Sequence, residues 1–228
     1  MPFGLRRGGG TKTEDVPPAC LPQAMEAAVS ARPQIELIVG LGNPGAAYAG
    51  TRHNVGFWVI NRLSKRLGIP VEKHNRTASV GEGTFCGHRL VLAKPRTFMN
   101  DSGNAIRELL RKYKLPAGGM LLIYDELDLP LGRVRVRETG GSGGQKGMKS
   151  ILAAAGTQEF PRIRIGIGRP VVGDQPSWDP EHVANWVLGN PPAEQRRLLE
   201  AAADTAADAA VCCLEEGMQA AMNRFNRG

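Results

Sequence analysis

The sequence predicts an α/β fold, a single domain with a twisted, mixed β-sheet flanked by helices. Short apolar, β-branched runs alternate along the chain with segments whose apolar residues recur every three or four positions, the order that builds α/β layers. The clearest such unit, Ile35 to Asn54 (IELIVGLGNPGAAYAGTRHN), passes from a strand through a Gly/Pro-rich loop into a helix. With 228 residues, 42% of them apolar and 22% charged, the chain can bury one sizeable core but hardly two.

Residues 1–33 hold Gly8 to Gly10 and five prolines without a sustained period, a composition that reads as a disordered leader. A transit peptide is the other reading, although Glu14, Asp15 and Glu26 are unusual in one. The folded domain is expected over residues 34–228. It opens on Ile35, Leu37, Ile38 and Val39 as a buried strand, broken by Gly40, Gly42, Pro44 and Gly45. Asn43, Tyr48, Arg52 and His53 then lie between strand end and helix start, where open α/β sheets bind ligands. Gly56, Ile60, Leu63 and Leu67 keep helical spacing until Gly68 and Pro70 stop it.

Residues 71–93 read as a hairpin. Ile106, Leu109, Leu110 and Tyr113 form one helix face, with Asn100 or Ser102 as cap. Met120 to Tyr124 is a second buried strand, ending at the acids Asp125, Glu126 and Asp128. Arg133 to Arg137 alternates arginine with valine, which puts three guanidinium groups on one strand face as an anion-binding candidate. The loop from Gly140 to Gly144 opens a helix through Met148, Ile151 and Leu152, and Ile163, Ile165 and Ile167 mark a further strand. From Pro180 the pattern turns helical, with Leu199, Ala202, Ala206 and Cys213 on one packed face.

The net charge of +7 suits a polyanionic partner without requiring one. No CxxC pair indicates zinc, no apolar run approaches ~20 residues, and no secretory signal is evident. The expectation is therefore a protein without metal or cofactor and without membrane contact. It would be cytoplasmic, or organellar should residues 1–33 be a transit peptide.

Gly40, Gly42 and Gly45 satisfy the GxGxxG pattern of dinucleotide sites. Against that reading, Pro44 and the residues before His53 delay the helix that would receive a pyrophosphate, and no acid between Glu36 and Glu72 could hold a ribose. His74, His88 and His182 sit in polar contexts, whereas His53 occupies a strand-end loop with the Asp125 cluster on a neighbouring strand to orient it. With GxSxG absent, His53 would activate water rather than a side chain.

The stretches GLGNPGAAYAGTRHNVGF, KPRTFMNDSG, YDELDLPLG, GGSGGQKGMKSI and FPRIRIGIGRP, taken in order, resemble the bacterial-type peptidyl-tRNA hydrolase family over about residues 35–225. The resemblance implies a monomeric α/β enzyme that cleaves the ester between peptide and tRNA in peptidyl-tRNA shed by stalled ribosomes. It implies that His53 is the general base and that Asp125 orients it. Asn43 would tell a blocked peptidyl-tRNA from an aminoacyl-tRNA, and Asn100 would hydrogen-bond substrate. Tyr48 and Phe98 would contact the tRNA end or nearby substrate, and Arg137 and Arg164 the acceptor-stem phosphate.

One departure stands out. Where the family's loop usually reads GGHNG, this chain has Gly143, Gly144, Gln145, Lys146 and Gly147, so Lys146 replaces an asparagine that contacts substrate and helps place the water. Lysine donates but cannot accept, and its charge near His53 disfavours the imidazolium. The competing reading is a non-hydrolytic RNA-binding protein, since relatives of this fold in plant organelles serve as splicing cofactors.

Overall fold

The structure, a computed structural model, describes residues 34–227; the leader expected over residues 1–33 lies outside them. Seven strands form one mixed sheet in the order β2-β3-β4-β1-β5-β7-β6. Its centre is parallel: β1 (Leu37–Gly40) lies between β4 (His88–Pro95) and β5 (Met120–Glu126), and β5 pairs in turn with β7 (Arg162–Gly166). The flanks are antiparallel. β2 (Lys73–His74) and β3 (Ala78–Phe85) extend one side through the expected hairpin, and β6 (Val134–Arg137) closes the other against β7.

Central strands covered on both faces need apolar residues at every position, which is why β1 and the start of β5 read as continuous runs. Strand parity divides them between two cores. Ile38, Leu121, Ile123, Ile163 and Ile165 pack with α1 (Val55–Leu67), α5 (Ala193–Glu215) and α6 (Met218–Phe225). Leu37, Val39, Leu122 and Tyr124 pack on the opposite face with α2 (Ser102–Tyr113) and α3 (Lys146–Ala155). The same period of two that sends Leu121 and Ile123 to the α1 side sends Asp125 there too.

Two glycines let α1 approach the end of β1 closely. A Cβ on Gly40 would stand 2.2 Å from the carbonyl oxygen of Gly56, and one on Gly56 would stand 2.5 Å from that of Ile123. Helix and sheet therefore meet backbone to backbone directly after the loop that carries His53. Gly68 ends α1 in the left-handed conformation at φ 63°, as its position after Leu67 predicts.

Some local expectations are corrected. Neither Asn100 nor Ser102 caps α2: Asp101 occupies that position without a side-chain bond, and the Ser102 hydroxyl donates to the Met99 carbonyl at 2.8 Å. The C-terminal part is three helices, with α4 (Pro180–Leu188) preceding α5 and α6. Asp179 caps α4 by accepting from the amides of Glu181 and His182, with Pro180 in its first turn. Before α4, a small hairpin of β8 (Val171–Val172) and β9 (Gln175–Pro176) forms a separate sheet that apolar patterning did not foretell.

Candidate active site

The parallel strands β1, β4 and β5 end on the same side of the sheet, and the loops that leave them build the site. The β1 loop is locked by Asn54, whose amide brackets the backbone of Asn43: Oδ1 accepts from the Asn43 N–H at 2.8 Å and Nδ2 donates to its carbonyl at 2.9 Å. That clamp aims the Asn43 side chain at the β4 loop, where Oδ1 accepts the Met99 N–H at 2.8 Å. Asn43 is largely buried, and its Nδ2, which bonds to no described residue, remains available as a donor.

His53 lies in a single 3-10 turn, Arg52–Asn54, that runs directly into α1. Its Nδ1 meets Asp125 Oδ2 at 2.7 Å, with side-chain exposures of 12% and 2%, so the pair is nearly withdrawn from water. A carboxylate at that distance fixes the tautomer with the proton on Nδ1 and leaves Nε2 able to accept one. Burial opposes charging of the imidazole, Asp125 favours it by field and hydrogen bond, and Lys146 opposes it; the net effect holds His53 above its ordinary value.

The other oxygen of Asp125 is held by a residue to which the sequence motifs assign no role. Gln145 Nε2 donates to Asp125 Oδ1 at 3.2 Å, while Gln145 Oε1 accepts the Met148 N–H at 2.6 Å as the N-cap of α3. The same Nε2 lies 3.5 Å from Met99 Sδ. Gly147 makes this contact feasible, since a Cβ there would stand 2.5 Å from that sulfur. The signal in the sequence is slight: a long amide directly after the glycine loop, where a cap is due.

Arg52, expected to face a ligand, is instead structural. It is buried, donating to the carbonyls of Trp186 and Gly189 at 3.1 Å and to Gln195 Oε1 at 2.7 Å, with its guanidinium 3.7 Å from the Trp186 ring centroid. It ties the histidine loop to α4 and the start of α5.

At the rim, Tyr48 and Phe98 form a T-shaped pair with centroids 6.3 Å apart, and Phe98 is 58% exposed. Asn100 is exposed in the turn that Asn43 holds through Met99, and Lys146 is exposed at the first position of α3. Among the described residues no group of three or more His, Cys, Asp or Glu could hold a metal.

The family model described as Peptidyl-tRNA hydrolase matches residues 37–228. The chain belongs to the peptidyl-tRNA hydrolase family. The peptidyl-tRNA hydrolase of Synechococcus sp. strain JA-2-3B'a(2-13) is 48% identical over 194 residues, covering 84% of this chain and 83% of its own. That of Caldanaerobacter subterraneus is 44% identical over 190 residues, covering 83% and 98%. Among solved structures, the peptidyl-tRNA hydrolase of Acinetobacter baumannii superposes with a TM-score of 0.78 at 36% identity, covering 87% of this chain and 97% of that one.

Arg137 and Arg164, which the family resemblance links to the acceptor stem, stand on β6 and β7. Arg135 and Arg164 are partners across β6 and β7, as are Arg137 and Arg162, so Arg137 and Arg164 are diagonal neighbours on one face. The expected row of three guanidiniums is nevertheless broken. Arg135 donates to the Asn226 carbonyl, Arg133 is half-buried, and only Arg137 of the three is exposed. Arg164 makes a two-pronged pair with the buried carboxylate of Glu126, at 2.9 and 2.8 Å.

Proposed function

We propose that this chain hydrolyses the ester bond between peptide and tRNA in peptidyl-tRNA, with His53 as general base and Asp125 as its orienting carboxylate. The observation that carries the reading is the 2.7 Å bond between His53 Nδ1 and Asp125 Oδ2, which leaves Nε2 as the proton acceptor of a nearly buried pair.

His53 Nε2 takes a proton from water as the water oxygen bonds to the ester carbonyl carbon. The tetrahedral intermediate then collapses, the bond to the ribose oxygen breaks, and that oxygen recovers the proton from the imidazolium; free tRNA leaves, and the peptide's new carboxylic acid gives its remaining water proton to solvent. Asp125 stabilises the transient cation. Such a base contributes typically ~10²–10⁴-fold.

Asn43 offers Nδ2 to the acyl side of the bond, where it would distinguish a blocked peptide from a free amino acid. Asn100 donates from the adjoining turn. Tyr48 and the exposed face of Phe98 receive the CCA end, since an aromatic face stacks on adenine without regard to its edges. Lys146 reaches substrate as a donor only. Arg137, with Arg164 beside it, meets the acceptor-stem phosphates. The protein would act as a cytoplasmic monomer that recycles tRNA in ribosome rescue; no helix among the described residues is long and apolar enough to cross a membrane. No observation favours the non-hydrolytic RNA-binding reading over this one.

The test is incubation of the purified protein with peptidyl-tRNA, with His53→Ala as control. Release of free tRNA by the wild type and not by the variant is expected. Equal release by both would remove His53 from the chemistry.

A further inference from the structure

We infer that Gln145 is a positioning residue for the hydrolysis, a neutral clamp that fixes the Asp125 carboxylate from the side opposite His53. The inference rests on the roles proposed for His53 and Asp125. It goes beyond them because it concerns a residue that touches no reacting atom.

The orientation of the amide is determined. A backbone N–H can only donate, so the 2.6 Å bond from Met148 requires the oxygen of Gln145 to face the helix and its NH₂ to face Asp125. Asp125 thereby has one partner on each oxygen, His53 on Oδ2 and Gln145 on Oδ1. A buried carboxylate held at one oxygen can still turn about its terminal bond, and held at both it cannot. The angle at which Asp125 presents Oδ2 to the imidazole, and so the direction of Nε2, then depends on a residue at the start of α3.

The clamp also spans three elements. Gln145 belongs to the glycine loop and α3, Asp125 to the end of β5, and Met99, whose sulfur lies 3.5 Å from the same NH₂, to the turn that Asn43 holds. A cationic clamp would compete with the imidazolium for Asp125; a neutral amide holds the carboxylate without adding a charge. The charged groups facing His53 are Asp125 from β5 and Lys146 from α3. Gln145 lies beside both.

The experiment separates the cap from the clamp. Gln145→Ser keeps an oxygen that can cap α3 through the Met148 N–H but is too short to reach Asp125. Gln145→His keeps a long side chain with an N–H donor. Removing the hydrogen-bond partner that orients a metal-ligating side chain costs about 10- to 100-fold, and the loss of a clamp on a catalytic carboxylate is set on the same scale. Gln145→Ser is therefore expected to lower kcat on peptidyl-tRNA at least tenfold with KM within about twofold. The acid limb of its pH profile should move to higher pH, because an Asp125 oxygen without its donor concentrates charge towards His53. Gln145→His should recover most of the loss.

Wild-type kcat and pH profile in Gln145→Ser would overturn the proposal, as would a loss that falls on KM or that Gln145→His leaves unrestored. Thermal melting of both variants, with midpoints close to wild type, places the loss in the clamp; a fall in activity that tracks a fall in midpoint also overturns it. Wild-type and His53→Ala rates in the same assay check the underlying roles separately.

Discussion

His53 carries opposed influences, and its variants should report them one at a time. His53→Ala is expected to lose on the order of 10³-fold in kcat while substrate binding survives; retention of more than about a tenth of wild-type turnover would dismiss the general-base role. Lys146 sits where its charge lowers the affinity of His53 for a proton, against the stronger pull of Asp125. A general base works only when neutral, so in the proposed role of His53 activity is expected to fall as pH drops through its value. Lys146→Asn removes the opposing cation, raises that value and moves the acid limb to higher pH, while turnover on the alkaline plateau rises severalfold because a more basic imidazole takes the proton more readily. Superimposable profiles would mean that Lys146 points its charge into solvent. His53 and Asp125 are both legible in the sequence, since a lone loop histidine and an acidic strand end are visible as positions. The bracket of Asn54 around Asn43 and the clamp of Gln145 on Asp125 are not, because each is a tertiary bond made by an amide that serves equally well as a turn or cap residue.

At the level of elements, the site depends on how closely strand and helix ends are drawn together. Gly56→Ala would put a Cβ 2.5 Å from the Ile123 carbonyl and 2.6 Å from Leu41 N, all backbone contacts that no side-chain motion can relieve. Overpacking of this kind typically costs ~1–3 kcal/mol. The variant should melt several degrees lower and lose activity as α1 carries His53 away from Asp125; a midpoint equal to wild type would show that the helix start moves freely. The Glu126–Arg164 pair is the other constraint. Glu126 is 2% exposed and also accepts the Asp128 N–H at 3.1 Å, so the loop after β5 hangs on a buried carboxylate that Arg164 neutralises. Arg164→Ala leaves that charge unpaired and is expected to destabilise the fold by ~3 kcal/mol. A midpoint lowered in the absence of RNA would reveal this structural share; an unchanged midpoint would free Arg164 for substrate alone. The strands and helices themselves are legible because their periods of two and 3.6 differ, and the hairpin because glycine punctuates it. The pairing of Glu126 with Arg164 is hidden, since it joins residues 38 apart whose meeting depends on β5 and β7 being neighbours.

For the whole molecule, the question is whether the net charge of +7 is a general background or is focused where an RNA stem would lie. β6 is the last strand of the sheet, and an edge strand keeps charges to discourage pairing with other chains. That alone could account for Arg137. The edge is, however, already occupied at its middle: Asn226 mimics a neighbouring strand, its Oδ1 accepting the Val136 N–H at 2.8 Å and its Nδ2 donating to the Val136 carbonyl at 3.0 Å. An edge closed in this way has less need of a guardian charge, while Arg135 and Arg164 are each committed to a protein partner. Arg137 is therefore the arginine of this face best placed to meet a phosphate. Arg137→Ala should lower kcat/KM on full peptidyl-tRNA by ~1–3 kcal/mol and reduce the slope of log affinity against log salt by roughly one, as the loss of one phosphate contact requires. A short peptidyl-adenosine ester, which has no stem, should be cleaved almost as fast as by the wild type, whereas His53→Ala should fail on both substrates. Because Arg137 is exposed, its removal should leave the melting midpoint within about a degree or two. Equal behaviour of Arg137→Ala and wild type on full peptidyl-tRNA, across about 50 to 200 mM salt, would return Arg137 to the role of edge charge and place the stem on another face.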